Sequence, residues 1–311
     1  MRSSIGSITV LVLAFLLAAC GDDDSDFVTR ASDESSSSVC EDRDESSSST
    51  KSSSSVSPDS VPGAQSSSST KSSSSVTPSS SSWSSEGTIG SSSSVPEGYI
   101  DPSTVVEGSM TDSRDGQTYM TIKIGTQTWM AENLNYAYLQ PTADYDSSSF
   151  CYENSEDYCD EYGRLYTWAA AVDSAGTWDS NTKGCGWGKN CRPQYPVRGV
   201  CPEGWHLPDS TEWATLFVAV GYSTAGKTLR STRDWNSGGN GTDDYYFTAL
   251  PAGRRDYVGV FESEGAAAYF WSSSEYNQDY AYHICLNSNS DYAVRDNLRK
   301  DIAISVRCVK D

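Results

Sequence analysis

Nine cysteines, two histidines, nine tryptophans and nineteen tyrosines are the residues of this chain best suited to chemistry or to gripping a ligand. Two cysteine pairs are close in sequence. Cys151 and Cys159 flank a short acidic loop, and Cys185 and Cys191 flank the turn Gly186-Trp187-Gly188. Loops this small are natural local disulfides in an oxidising compartment. Zinc is the other use of cysteine, and it wants closely spaced ligands. No Cys-x-x-Cys occurs, and His206 and His283 are far apart, so no metal and no cofactor is expected. Asp234, Asn236, Asp243 and Asp244 crowd one loop, DWNSGGNGTDD. Their oxygens could hold calcium, but the spacing matches no EF-hand. Turn-forming side chains bonded to local backbone are the expected reading. His206 would need a nucleophile and an orienting carboxylate to act as a general base, and neither is identifiable. It is expected to pack at a strand-to-helix junction. The aromatic residues remain, since exposed ring faces stack on sugars. Trp178, Trp187, Tyr257 and Tyr276 lie in Gly- or Asn-bearing loops and are the candidate ligand-binding residues. Trp129, Trp168, Trp205, Trp213 and Trp271 sit inside strand and helix patterns and are expected in the core.

The elements that must position these residues are few helices and many short strands. Gln117 to Ile124 alternates like a half-buried strand, and Gln127 to Met130 should return as its hairpin partner. Ser210 to Val220 is the clearest helix: Asp209 or Ser210 can cap it, and Trp213, Leu216, Phe217 and Val220 share one face. Tyr162 to Val172 has apolar residues at helical spacing and is predicted as a short helix. Tyr246 to Leu250, Gly259 to Glu262, Ala268 to Ser273, Ala281 to Leu286 and Ile302 to Val309 are the remaining strand candidates. This is the pattern of an α+β domain with long loops.

The amino-terminal part has a different character. Arg2, an apolar run from Ile8 to Ala19 and the sequence Leu-Ala-Ala-Cys ending at Cys20 have the parts of a signal peptide, and the last four residues match the bacterial lipobox. Residues 1–19 are therefore expected to be removed and Cys20 to carry a lipid that attaches the chain to the outer membrane. The acidic cluster Gly21-Asp22-Asp23-Asp24 resembles a surface-export signal, which favours display on the cell surface over a periplasm-facing position. From about Ser35 to Ser94 the chain is mostly serine, with SSSSTKSSSSVSP at Ser46 to Pro58 repeated as SSSSTKSSSSVTP at Ser66 to Pro78. Such composition has too little to bury to fold, so residues 20–98 read as a disordered tether. About 75 residues of random coil span roughly 45–50 Å. The folded domain is expected over residues 99–311. A net charge of −20 argues against nucleic acid as a partner.

Six motifs in order resemble one family. They are DGQTYMTIKIGTQTWMAENLNY (Asp115 to Tyr136), CYENSEDYCDEYGRLYTWAAA (Cys151 to Ala171), GVCPEGWHLPDSTEW (Gly199 to Trp213), GTDDYYFTALPAGRR (Gly241 to Arg255), FWSSSE (Phe270 to Glu275) and ISVRCVKD (Ile304 to Asp311). Together they resemble the Fibrobacter succinogenes major paralogous domain, itself similar to the C-type lectin-like fold. That resemblance implies that the terminal strands lie together and that Cys201 bridges to Cys308. It brings no activity that can be carried onto residues. HLPDSTEW is also similar to a motif of formylglycine-generating enzymes. Cys285 is left over and is expected as a buried free thiol, a bridge to Cys40 in the tether being the weaker alternative. The expected role is a surface-displayed, non-catalytic binding or adhesion module for polysaccharide or a cell-surface protein. A structural envelope protein and a formylglycine-generating-type enzyme are the alternatives.

Overall fold

A computed structural model describes Cys40 and residues 96–142, 144–145 and 148–311. The signal peptide, the lipid site Cys20, the acidic cluster and the serine repeats lie outside the described residues. No helix among the described residues is long and apolar enough to cross a membrane.

The chain is α+β, with strands predominating. The first half holds β1 (Val106–Thr111), β2 (Thr118–Ile124), β3 (Gln127–Met130), β4 (Ser149–Phe150), α1 (Glu156–Tyr162), β5 (Leu165–Thr167) and α2 (Trp168–Ala171). The second half holds β6 (Trp205–His206), α3 (Ser210–Val220), α4 (Ala225–Leu229), β7 (Ala252–Arg255), β8 (Phe261–Glu264), β9 (Ala267–Glu275), β10 (Tyr280–Asn287), β11 (Ala293–Arg299), β12 (Ala303–Ser305) and β13 (Val309–Lys310). One sheet runs β1-β2-β3-β13-β6. The other runs β11-β10-β9-β12-β5-β4, with β7 pairing β12 and β8.

The run AAYFWSSSE explains the centre of the larger sheet. A strand apolar on both faces must be covered on both. Ala267, Tyr269 and Trp271 of β9 face one core cluster, while Ala268 and Phe270 face another. The first cluster is filled by Tyr166, Trp168 and Ile304 among others. The second is filled by Trp129 and by the Trp213, Leu216 and Phe217 face of α3. Asp209 caps α3, accepting from the backbone N–H groups of Thr211 and Glu212, while Glu212 reaches back to the Asp209 N–H.

Three predicted elements fold differently. The stretch 162–172 is not one helix. Gly163 adopts φ 74°, and a side chain there would press on the Asn133 and Leu134 carbonyls. The chain therefore leaves α1 at Tyr162, and Leu165–Thr167 pairs with β12 and β4 before a single turn of helix follows. Tyr246 to Leu250 is a turn, because the Phe247 and Thr248 carbonyls point at the buried Arg307 guanidinium instead of a neighbouring strand. The terminal stretch 302–309 splits at that same arginine: β12 joins the larger sheet and β13 the smaller.

Four disulfides join Cys151 to Cys159, Cys185 to Cys191, Cys201 to Cys308 and Cys40 to Cys285. The last differs from the expected free thiol. Cys285 on β10 faces the first core cluster, and Cys40, 56 residues before Pro96 in sequence order, is brought into the same cluster. It is the pairing that the sequence left as the weaker alternative, because a separation of 245 residues gives no local sign that the two cysteines meet.

Candidate functional site

The four candidate aromatics do not form one group. Trp178 is half-buried, edge-on to Tyr136 and Tyr138 at 5.8 and 5.9 Å, with the Arg114 guanidinium 4.8 Å from its ring. It belongs to the edge of the first core cluster. Tyr276 is 52% exposed but packs edge-on against Tyr282. Trp187 and Tyr257 are the two that converge. They are 45% and 50% exposed, and both lie against the Arg299 guanidinium, at 5.5 and 4.2 Å from its carbon to the ring centroids. Asp301 holds that guanidinium with two hydrogen bonds, accepting from Nε at 3.0 Å and from Nη2 at 2.7 Å. A cation over an aromatic face contributes about 0.5–1 kcal/mol at an exposed site, so one arginine aligns both rings.

A buried lysine holds the platform in place. Lys300 follows β11 directly, and its side chain is fully buried. Its ammonium donates to Glu275 Oε1 at 2.6 Å, to the Lys189 carbonyl at 2.9 Å and to the Gln278 carbonyl at 3.1 Å, and lies 4.6 Å from the Trp168 ring centroid. Burial pushes the Lys300 pKa down, and the Glu275 carboxylate works against that shift. Glu275 also accepts the Cys191 N–H on both oxygens. The Trp187 loop is thus closed by its own disulfide and pinned at Lys189 and Cys191. Tyr257 sits in the turn between β7 and β8, where Asp256 accepts the Val258 and Val260 N–H groups. Its carbonyl accepts the Tyr145 hydroxyl at 3.1 Å. Beneath the Trp187 loop lies Asp144, pushed up to about 6 by burial against the opposing effect of the Trp187 N–H. Its Oδ2 has no hydrogen-bond partner.

Arg299, Lys300, Asp301 and Glu275 were not singled out from the sequence. The adjacent charges Arg299-Lys300-Asp301 at the end of a strand were the available signal. A lysine between two strand residues and an aspartate reads as solvent-facing until its neighbours are known.

His206 does sit where β6 meets α3. Its Nδ1 lies 2.7 Å from Asp311 Oδ1 and its Nε2 2.8 Å from Glu212 Oε1. Two carboxylates that sequence spacing concealed therefore flank it, and both ring nitrogens are occupied. Burial lowers the His206 pKa, but the hydrogen bonds of Glu212 and Asp311 outweigh it and the value lies above the ordinary one. His283 is buried on β10, and burial pulls it down to about 4, so it is neutral. The crowded Asx loop makes local bonds: Asp243 accepts the Thr248 N–H and hydroxyl, and Asp244 accepts the Thr242 hydroxyl. Among the described residues, the one group of His, Cys, Asp or Glu close enough to share a metal is Cys151, Glu156 and Cys159, whose sulfurs are joined to each other.

Comparison with curated proteins and with solved structures found no match. A family model does match, covering residues 122–310, most of the folded part and more than half of the chain. The strands β3 to β13, the 201–308 disulfide and the Trp187–Tyr257 platform all fall inside that span, and β2 ends in it. The chain belongs to the Fibrobacter succinogenes major domain family.

Proposed function

We propose that the protein is a non-catalytic binding module, carried on the outer surface by a lipid on Cys20, and that its ligand is carbohydrate. The observation that carries this reading is the pairing of two half-exposed aromatic faces, Trp187 and Tyr257, on one arginine over a pinned framework. Rigid rings on loops held by buried hydrogen bonds are suited to stacking without an ordering cost at the moment of binding. A formylglycine-generating-type reaction would need a pair of cysteines, and Cys285 and Cys308, which could be read as such a pair, are each in a disulfide with another partner.

The C-type lectin-like reading of the fold draws support from β13. This last strand pairs with β3 of the first hairpin and with β6, and the Cys201–Cys308 bond closes the same region. Residues 1–19 as signal peptide, 20–98 as linker and 99–311 as domain complete the proposed layout. The Cys40–Cys285 bond changes its reach. The stretch in series with the lipid then runs from Cys20 to Cys40 and not along the whole linker.

The test is retention of the full mature chain on a panel of soluble and insoluble polysaccharides. Retention is expected on at least one, and Trp187→Ala with Tyr257→Ala should weaken it by about tenfold or more. Failure to bind any glycan, or equal binding by the double variant, would sink the carbohydrate reading. Capture of a cell-surface protein through the same two rings would replace it with the protein-ligand reading.

A further inference from the structure

We propose that the Trp187–Tyr257 platform takes an acidic polysaccharide, a polymer of sugar rings bearing carboxylate or sulfate groups. This rests on the carbohydrate reading above and specifies the class of polymer. The chain is strongly acidic, at −20, yet residues 180–202 contain no Asp or Glu and carry Lys183, Lys189, Arg192 and Arg198. Arg198 is used internally, donating to the Cys201 carbonyl and lying over the Trp178 ring. Lys183, Lys189 and Arg192 are exposed. None of the three makes an ion pair among the described residues. Lys189 lies inside the Cys185–Cys191 loop two residues after Trp187, and Arg192 follows that loop directly. The free cations are therefore on the element that carries the exposed indole.

The carboxylates around the platform are largely engaged. Asp301 holds Arg299, and Glu275 holds Lys300 and the Cys191 N–H. Asp144 is buried under the loop, with a raised pKa of about 6 that brings its neutral form within reach of mildly acidic conditions. Asp256 is turned onto the backbone of the Tyr257 turn, and Asp279 accepts the Gln278 side-chain amide. Charges separated by more than a Debye length, about 8 Å at physiological salt, are largely screened. Acidic residues elsewhere in the chain thus weaken the local attraction little. The ring faces and the cations divide the work. Trp187 and Tyr257 take the apolar face of a sugar, and Lys183, Lys189 and Arg192 take the charged substituents along the polymer.

Affinity electrophoresis of the full mature chain at low salt separates the outcomes. The polymers are polygalacturonate, a sulfated galactan, a neutral β-glucan and polyglutamate, which has the charge without the rings. Retardation is expected from the acidic glycans, with less from the β-glucan and none from polyglutamate. Retardation by only one of the two acidic glycans identifies the substituent. Lys189→Gln with Arg192→Gln should weaken the acidic-glycan interaction about fivefold, the effect of two exposed charges, with an unchanged unfolding midpoint. Equal retardation by neutral and acidic glycans, with no effect of the charge variant, overturns the acidic class but leaves the carbohydrate reading standing. Polyglutamate binding as strong as polygalacturonate binding overturns it as bare charge attraction. Binding to no glycan removes both readings.

Discussion

Two groups of aromatic residues, each containing tryptophan, behave oppositely in this molecule. Trp129, Trp213, Phe247 and Phe270 form a contiguous cluster with ring centroids 4.7 to 6.2 Å apart, all but sealed from solvent. Trp187 and Tyr257 keep about half their surface. Rings in the first group are covered by other rings and by α3. Those in the second rest on a guanidinium and on glycine-bearing loops. The difference lies in the supporting element. A helix face and a two-sided strand bury what they carry, whereas a disulfide loop of seven residues, Cys185 to Cys191, has no interior and can only present its side chain. Stability therefore concentrates in one aromatic group, and contact with a ligand is available to the other.

The sharpest way to break this contrast is Trp213→Ala. It empties the centre of the buried cluster, so the unfolding free energy should fall by about 3–5 kcal/mol. Trp187→Ala should leave the same quantity within about 0.5 kcal/mol. Chemical denaturation of the two variants measures this directly, and equal losses would dissolve the distinction. Next is Lys300→Met, which acts on both regions. It leaves Glu275 buried without its cation and frees the Lys189 and Gln278 carbonyls, at a cost of about 3 kcal/mol. The Trp187 loop should lose protection from amide hydrogen exchange first. Loss of protection that begins in the β9–β10 core instead would show that the lysine holds the sheet and not the platform.

The smallest expected effect concerns His206, which lies apart from both aromatic groups. Its folded-state pKa is raised above the ordinary 6.5. The stabilisation from its charged contacts with Glu212 and Asp311 is therefore complete below about pH 6.5 and disappears as pH rises through the raised value. The stability difference between the native chain and His206→Gln should shrink over that interval, as read from thermal unfolding at a series of pH values. A difference that grows with pH would contradict the two carboxylate contacts.

Much of this was legible in the residues. The α3 face followed from spacing alone, its cap was narrowed to Asp209 or Ser210, of which Asp209 takes the role, and β9 and β10 followed from apolar runs bounded by turn residues. Trp129, Trp168, Trp205, Trp213 and Trp271 were assigned to the core from their places in those patterns, and all five are buried. Of the four loop aromatics, nothing local separated Trp187 from Trp178, since both lie in glycine-bearing loops. Trp178 is half-covered because Tyr136, Tyr138 and Arg114 arrive from distant segments. The predicted helix at 162–172 failed for a related reason. Its helical apolar spacing is real, but the backbone constraint at Gly163 and the open edges of β12 and β4 took Leu165–Thr167 into a sheet.

What the sequence by itself determined is local or carried by motifs: the capped helix, the two-sided strand, the short cysteine loops and the family. The family rests on the order of six motifs, and the others depend on neighbours a few residues apart, whose relation the covalent chain already sets. Tertiary structure alone decided which loop aromatics meet, that Lys300 is a buried hub and not a surface charge, that Arg307 divides the last strand in two, and that Cys40 reaches Cys285. Each of these joins groups tens to hundreds of residues apart. Burial, opposite charge and disulfide geometry act on distance in space, which the order of residues does not contain.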